Sequence, residues 1–138
     1  MIRSASAHWE GNLKEGKGTL STQSGILENS IYSFKTRFEE GVKGTNPEEL
    51  LAAAHAGCFT MAVSAMLHQK GFTATKLDTQ ATVTMDKKSI TAIHLNISGA
   101  VEGINPEDFA TITKNAEQNC FVSKVLNIPI TSEVHFEI

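Results

Sequence analysis

The feature that most constrains this chain is a nearly continuous run of apolar and small residues, Asn46-Pro-Glu-Glu-Leu-Leu-Ala-Ala-Ala-His-Ala-Gly-Cys-Phe-Thr-Met-Ala-Val-Ser-Ala-Met-Leu-His68. Its start carries three helix signals. Asn46 suits the N-cap, Pro47 the first helical position, and Glu49 the carboxylate position of a capping box. Gly71 is placed to terminate the helix. Leu51, Ala54, Cys58, Met61 and Ala65 recur at three- and four-residue spacings, which predicts that they line one face. The many alanines and a glycine let another backbone approach closely, so the segment is predicted to be a core helix.

The segments around it alternate. Ala7-His-Trp-Glu-Gly and Gly18-Thr-Leu-Ser-Thr read as strands joined by a turn over 11–18, and Ile31 to Phe38 reads as a third strand. On that strand Tyr32, Phe34, Thr36 and Phe38 share one face, with Lys35 and Arg37 on the other. Residues 73–85 and 90–101 form a long hairpin that turns at Asp86-Lys-Lys-Ser. Asn105-Pro-Glu-Asp starts a second helix with Phe109, Ile112 and Ala116 as its apolar stripe, ending at Asn119. Residues 128–138 close the chain as a strand. The pattern predicts one α+β domain over 1–138 with mostly antiparallel pairing.

At 138 residues, with 41% hydrophobic and 20% charged residues, the chain is long enough and apolar enough to bury a core. The net charge of −3 implies no general attraction to nucleic acid or to an anionic membrane surface. No leader pattern and no stretch of about 18 apolar residues is read, so the expected location is the reducing cytoplasm. There, two cysteines are more often catalytic, sensing or merely buried than a structural staple, and a disulfide would be part of a cycle.

Those two cysteines are Cys58, inside the apolar helix, and Cys120, just after the second helix. A thiol attacks as thiolate, and burial on an apolar helix face disfavours the charged form. A reactive Cys58 therefore needs a cation. The chain has two arginines, Arg3 and Arg37, and Arg37 lies just before the helix. Glu48, left free if Glu49 closes the cap, is the carboxylate expected to hold the Arg37 guanidinium in a bidentate orientation. In a straight helix Glu48 and Cys58 lie roughly 15 Å apart along the axis. An unbroken helix therefore favours a symmetric dimer in which the Glu48–Arg37 pair of one subunit covers the Cys58 of the other. His55, three residues before Cys58, is read as a packing residue, in preference to a His–Cys pair or half a metal site. His8, His68, His94 and His135 receive no role.

The segment Gly44-Thr-Asn-Pro-Glu-Glu-Leu-Leu-Ala-Ala-Ala-His-Ala-Gly-Cys-Phe-Thr-Met-Ala resembles the signature of the OsmC/Ohr family of thiol-dependent hydroperoxide reductases. Ala7-His-Trp-Glu-Gly, Thr36-Arg-Phe-Glu and Cys120 with Val122-Ser-Lys-Val-Leu resemble its OsmC branch. The resemblance implies an intertwined homodimer, with antiparallel sheets from both chains wrapped around central helices and two active sites at the interface. It implies Cys58 as the peroxidatic thiolate, Cys120 as the resolving thiol, and Glu48 with Arg37 as their charged partners. It also implies an external dithiol reductant, a dihydrolipoyl group on a partner protein. The chain departs from the family in carrying Phe121 where proline usually follows the resolving cysteine, and in a shorter Asp86–Ser89 turn.

Sulfur chemistry then gives a cycle without metal, flavin or haem. Cys58 attacks the distal peroxide oxygen, an alcohol leaves, and Cys120 condenses with the sulfenic acid to a disulfide. The apolar residues near both cysteines favour organic hydroperoxides over hydrogen peroxide, and the expected role is defence against oxidative and osmotic stress. Two other readings of the same residues stay open: a thiol redox sensor, and a hydrophobic-ligand-binding dimer with incidental cysteines.

Overall fold

The computed structural model describes residues 1–137, and the chain divides into two compact units, Met1–Leu50 and Leu51–Ile138. In the N-terminal unit, β1 (Ala5–Glu10), β2 (Lys17–Thr22) and β3 (Ser30–Tyr32) form an antiparallel sheet in that order. Ala5 pairs with Thr22 and Glu10 with Lys17, so the hairpin read from the two glycine-flanked runs is present. Gly18 matters for space rather than for backbone freedom. A Cβ there would come within 2.4 Å of the Tyr32 ring and 2.7 Å of the Trp9 ring.

The expected third strand stops early. After Tyr32 the chain turns into a short helix, α1 (Phe34–Phe38), so Arg37 rides on a helix and not on a strand. The cause is local, a reciprocal capping box between Ser33 and Thr36. The Ser33 hydroxyl accepts from the Thr36 amide at 3.2 Å, and the Thr36 hydroxyl accepts from the Ser33 amide at 2.8 Å. Phe34 and Phe38, read as same-face strand residues, instead meet one helical turn apart, with ring centroids at 4.8 Å.

Helix α2 (Pro47–Gln69) runs without a break. Asn46 caps it, its side chain accepting from the Glu49 amide at 2.7 Å. The Glu49 carboxylate takes the Thr45 hydroxyl (2.8 Å), so the cap is an Asn cap with a Thr–Glu bond beside it. Gly71, with φ 85°, ends the helix as predicted. The Leu67 carbonyl accepts from the Phe72 amide in the closing turn.

The C-terminal unit is a second sheet of β4 (Ala74–Met85), β5 (Ile90–Val101) and β6 (Ile130–Glu137), with β5 central. The backbone amides of Lys88 and Ser89 donate to Asp86 Oδ1 at 2.7 Å each and hold the β4–β5 turn. These bonds lower the Asp86 pKa by favouring the carboxylate. β6 pairs with β5 in parallel, from Ile93 opposite Ile130 to Ala100 opposite Glu137, which keeps the pairing mostly antiparallel as expected but departs from the purely antiparallel sheets that the resemblance implies. Parallel strands need a crossover. It is supplied by α3 (Pro106–Asn119) and an additional short helix, α4 (Phe121–Val125). The expected closing strand is present through Glu137, and Ile138 lies outside the described residues.

Alternate residues of β5, Ile93, Leu95, Ile97 and Val101, are buried in one core with Phe109, Ile112 and Ala116 of α3. The α2 residues in this core are Phe59, Val63 and Leu67, with buried His55 one turn before them. This is not the predicted stripe: Cys58 is half-buried, while Ala54, Met61 and Ala65 are exposed. The helix is apolar almost all round, so spacing alone could not choose a face. For the same reason α2 is long and apolar enough to cross a membrane, with a window of mean hydropathy 1.7, contrary to the sequence reading. A core helix passes the same test. Only 22% of that window is buried within the single chain.

Candidate active site

Both cysteines are unbridged, and both line one pocket of about 520 Å³ in the C-terminal unit. Cys58 enters from α2 together with Met61, Ala62 and Met66, and Cys120 enters from the α3–α4 junction with Phe121. The wall is dominated by methyl, thioether and aromatic groups, with Gln69 and Asn119 as its polar side chains. Cys58 is half-buried, while Cys120 is only 2% exposed. Phe121 opens α4 and is 79% exposed at the pocket edge.

Cys120 is not surrounded by hydrocarbon alone. As the cap of α4 its sulfur accepts from the Ser123 amide at 3.4 Å and lies 3.0 Å from Ser123 Oγ. Ser123 Oγ is in turn 2.7 Å from His55 Nε2. All three residues are buried, and His55 is wholly so. Burial lowers the His55 pKa and favours the neutral imidazole. The expectation that His55 only packs is half right. The ring is in the interior, but it is hydrogen-bonded, and toward the second cysteine rather than the first. His55 Nδ1 has no hydrogen-bond partner among the described residues. Such a condition costs about 1–3 kcal/mol for a buried polar atom.

Arg37 and Glu48 come together in the N-terminal unit. Arg37 Nε donates to Glu48 Oε1 at 2.5 Å. The predicted bidentate fork is not formed, and Glu48 Oε2 is buried without a donor among the described residues. The guanidinium instead lies over the Phe38 ring, 5.2 Å from its centroid, a cation–π contact that competes with the fork. Glu48 is buried, whereas 46% of the Arg37 side chain is exposed. Arg37 also lines an aromatic recess of about 210 Å³ with Trp9, Tyr32, Phe34 and Phe38. The Trp9 and Tyr32 rings stand 5.6 Å apart over Gly18. Among the described residues no group of three or more His, Cys, Asp or Glu side chains is disposed to hold a metal ion.

The family model for OsmC-like proteins matches residues 39–135. The chain is also 54% identical over 129 residues to the peroxiredoxin OsmC of Escherichia coli strain K12, covering 91% of this chain and 90% of that one. The chain belongs to the OsmC family. Solved structures share its α+β fold at low identity. An OsmC-like protein of unknown function from Vibrio cholerae superposes with a TM-score of 0.75 at 16% identity, covering 97% of this chain and 99% of that one. The organic hydroperoxide resistance protein OhrB of Bacillus subtilis superposes with a TM-score of 0.64 at 19% identity, covering 97% and 98%.

Within this OsmC-family chain, the two cysteines singled out from the sequence share a pocket and Arg37 is bonded to Glu48 as expected, while Ser123 was not singled out. The missed signal is small. Ser123 follows Cys120 by three positions, the spacing at which a residue's amide returns to a helix cap. Nothing in the sequence connects it to His55, which is distant along the chain.

Proposed function

We propose that this chain is a cysteine-based peroxidase that reduces organic hydroperoxides, and hydrogen peroxide less efficiently, in the reducing cytoplasm as a defence against oxidative and osmotic stress. The observation that carries the reading is the shared pocket: two free thiols of unequal exposure on one apolar wall, in a chain of the OsmC family. The more accessible Cys58 is the attacking thiolate. It bonds to the distal oxygen of ROOH, the O–O bond breaks, and ROH leaves after taking a proton. Cys58 is then a sulfenic acid. Cys120 attacks that sulfur, forms the Cys58–Cys120 disulfide and releases water, which protects Cys58 from further oxidation. An external dithiol, in this reading a dihydrolipoyl group on a protein partner, reduces the disulfide. The methyl, thioether and phenyl groups of the pocket favour an alkyl chain on the peroxide.

The working form in this reading is a homodimer. Three features support it. The apolar α2 leaves Met61 75% exposed in the single chain. Glu48 Oε2 is buried with no donor among the described residues. Helix α2 is unbroken between Glu48 and Cys58, which sets them about three turns apart. The Arg37–Glu48 pair of one subunit then serves the Cys58 of the other, with Arg37 stabilising the thiolate and the charge developing on the leaving oxygen.

The test mixes reduced protein with one equivalent of an alkyl hydroperoxide and follows thiols, mass and alcohol. Both thiols should disappear into an intramolecular disulfide as one alcohol is released. Added dithiol should restore turnover, which separates a catalyst from a sensor. Cys58→Ser should abolish the reaction, and Cys120→Ser should complete one turnover and then accumulate sulfinate. Full activity in Cys58→Ser would sink the assignment.

A further inference from the structure

We infer that His55 and Ser123 form a buried proton relay that activates Cys120 for disulfide closure: the Ser123 hydroxyl takes the thiol proton while passing its own to His55 Nε2. The inference rests on the reading of Cys120 as the resolving thiol, and it assigns work to two residues that the peroxide-reducing step does not use.

The geometry is a continuous hydrogen-bonded path from Cys120 Sγ through Ser123 Oγ, at 3.0 Å, to His55 Nε2, at 2.7 Å. The path is closed to solvent, with relative exposures of 2% for Cys120, 7% for Ser123 and 0% for His55. An ordinary thiol is mostly protonated at neutral pH and attacks only after losing its proton. Here the hydroxyl of Ser123 and the imidazole behind it offer the proton a way out. The sulfur already accepts the Ser123 amide hydrogen, at 3.4 Å, a contact that supports negative charge on it. Cys120 also lines the pocket that Cys58 lines, so the activated sulfur belongs to the same cavity as its target.

The relay requires one tautomer of His55. For Nε2 to accept a proton, Nδ1 must carry one, and that N–H has no acceptor among the described residues. A ring held on one side only, with its other nitrogen unsatisfied, is poor packing and needs a reason for its presence. Burial lowers the His55 pKa, so the resting ring is neutral and open to a proton, though a weaker base than a free imidazole.

The step balances without an outside reagent. Cys120 S–H loses its proton to Ser123 Oγ as the Ser123 proton moves to His55. The Cys120 thiolate attacks Cys58 sulfur, the S–S bond forms, and the Cys58 S–OH bond breaks. The departing hydroxide takes the proton back along the path or from solvent and leaves as water. The thiol sulfur is oxidised and the sulfenic sulfur reduced.

The experiment follows the whole protein after one equivalent of alkyl hydroperoxide, quenching with an alkylating agent and resolving thiol, sulfenic acid, disulfide and sulfinate by mass. His55→Gln keeps a hydrogen bond to Ser123 but cannot accept the proton. It should lower the rate of disulfide closure per sulfenic acid about 10²-fold, the low end of general-base effects. Extra peroxide should then divert Cys58 to sulfinate. Ser123→Ala should do the same, and Ser123→Thr, which keeps the hydroxyl, should recover most of the closure rate. A residue that only packs would let Gln restore closure. Closure at the wild-type rate in both His55→Gln and Ser123→Ala overturns the relay. So does slowing confined to Cys58 oxidation. A wild-type protein that loses its thiols without forming a Cys58–Cys120 disulfide overturns the resolving-thiol reading itself, and the relay with it.

Discussion

The N-terminal unit, Met1–Leu50, has four buried residues, Gly16, Gly18, Thr36 and Glu48, and none is a hydrophobic side chain. The C-terminal unit holds all twelve buried hydrophobic residues found among the described residues, from Phe59 to Cys120. The difference separates two ways of building half of the proposed site. Cys120 and its hydrogen-bonded neighbours are held by a core that the chain completes by itself. Arg37 and Glu48 are held by a cap, a single ion-pair bond and a few aromatic contacts, with one carboxylate oxygen left over. A buried charge with an unused oxygen has a desolvation cost that something further must offset. In the proposed dimer, that something is the second chain.

The sharpest way to break this contrast is stability. Phe59→Ala should cost about 3–5 kcal/mol by denaturant unfolding, because it opens a cavity in the completed core. Ile26 lies in the N-terminal unit and is 85% exposed. Ile26→Ala should therefore stay within about 0.5 kcal/mol of the wild type. Equal costs would mean that the N-terminal unit has a core of its own.

Next comes catalysis. Arg37→Ala and Glu48→Gln should each lower the peroxide-dependent oxidation of Cys58 by about 10²-fold, the scale of losing one charge-stabilising group. The disulfide-closing step belongs to the other unit and should be spared. Rates measured step by step decide this, and a closure defect in Arg37→Ala would erase the division of labour. Mixing sharpens it further. When equal amounts of Arg37→Ala and Cys58→Ser subunits are exchanged to equilibrium, each mixed dimer should regain one intact site of two, and the whole mixture about a quarter of wild-type activity. No recovery would place Arg37 and Cys58 of one chain in the same site.

The smallest effect is on pH dependence. The folded-state pKa of His55 lies below its unfolded value near 6.5, so the unfolded chain binds the proton more readily. This contribution to stability is complete above the unfolded value and is lost as the pH falls toward the folded-state pKa. The loss is at most about 1.4 kcal/mol for each pH unit. Unfolding midpoints at about pH 7.5 and about pH 5.5, on either side of the ordinary histidine range, should diverge less in His55→Gln than in the wild type.

Much of this molecule could be read before any fold was known. Asn46 and Asn105 mark the starts of α2 and α3, and Gly71 marks the end of α2, because caps are satisfied by neighbours in the chain. The long hairpin and the Arg37–Glu48 partnership were equally legible, the latter because one arginine and one spare carboxylate flank the same short loop. Ile31 to Phe38 misled for a physical reason. Its aromatic alternation fits a strand, but Phe34 and Phe38 also sit at helical spacing, and the Ser33–Thr36 box tips the balance.

What local chemistry could not decide was every choice between equivalent faces and distant partners. Helix α2 is apolar on nearly all sides, so only tertiary packing determined that His55, Phe59, Val63 and Leu67 turn inward and Met61 outward. Strand β6 alternates in a way that suits either direction of pairing, and the crossover through α3 and α4 made it parallel. The two cysteines could be read as a redox pair from the sequence, because thiols without metal ligands have few other chemistries. Their shared pocket, and the path from Cys120 through Ser123 to His55, came from packing, since hydrogen bonds between residues far apart in the chain leave no periodic trace in it.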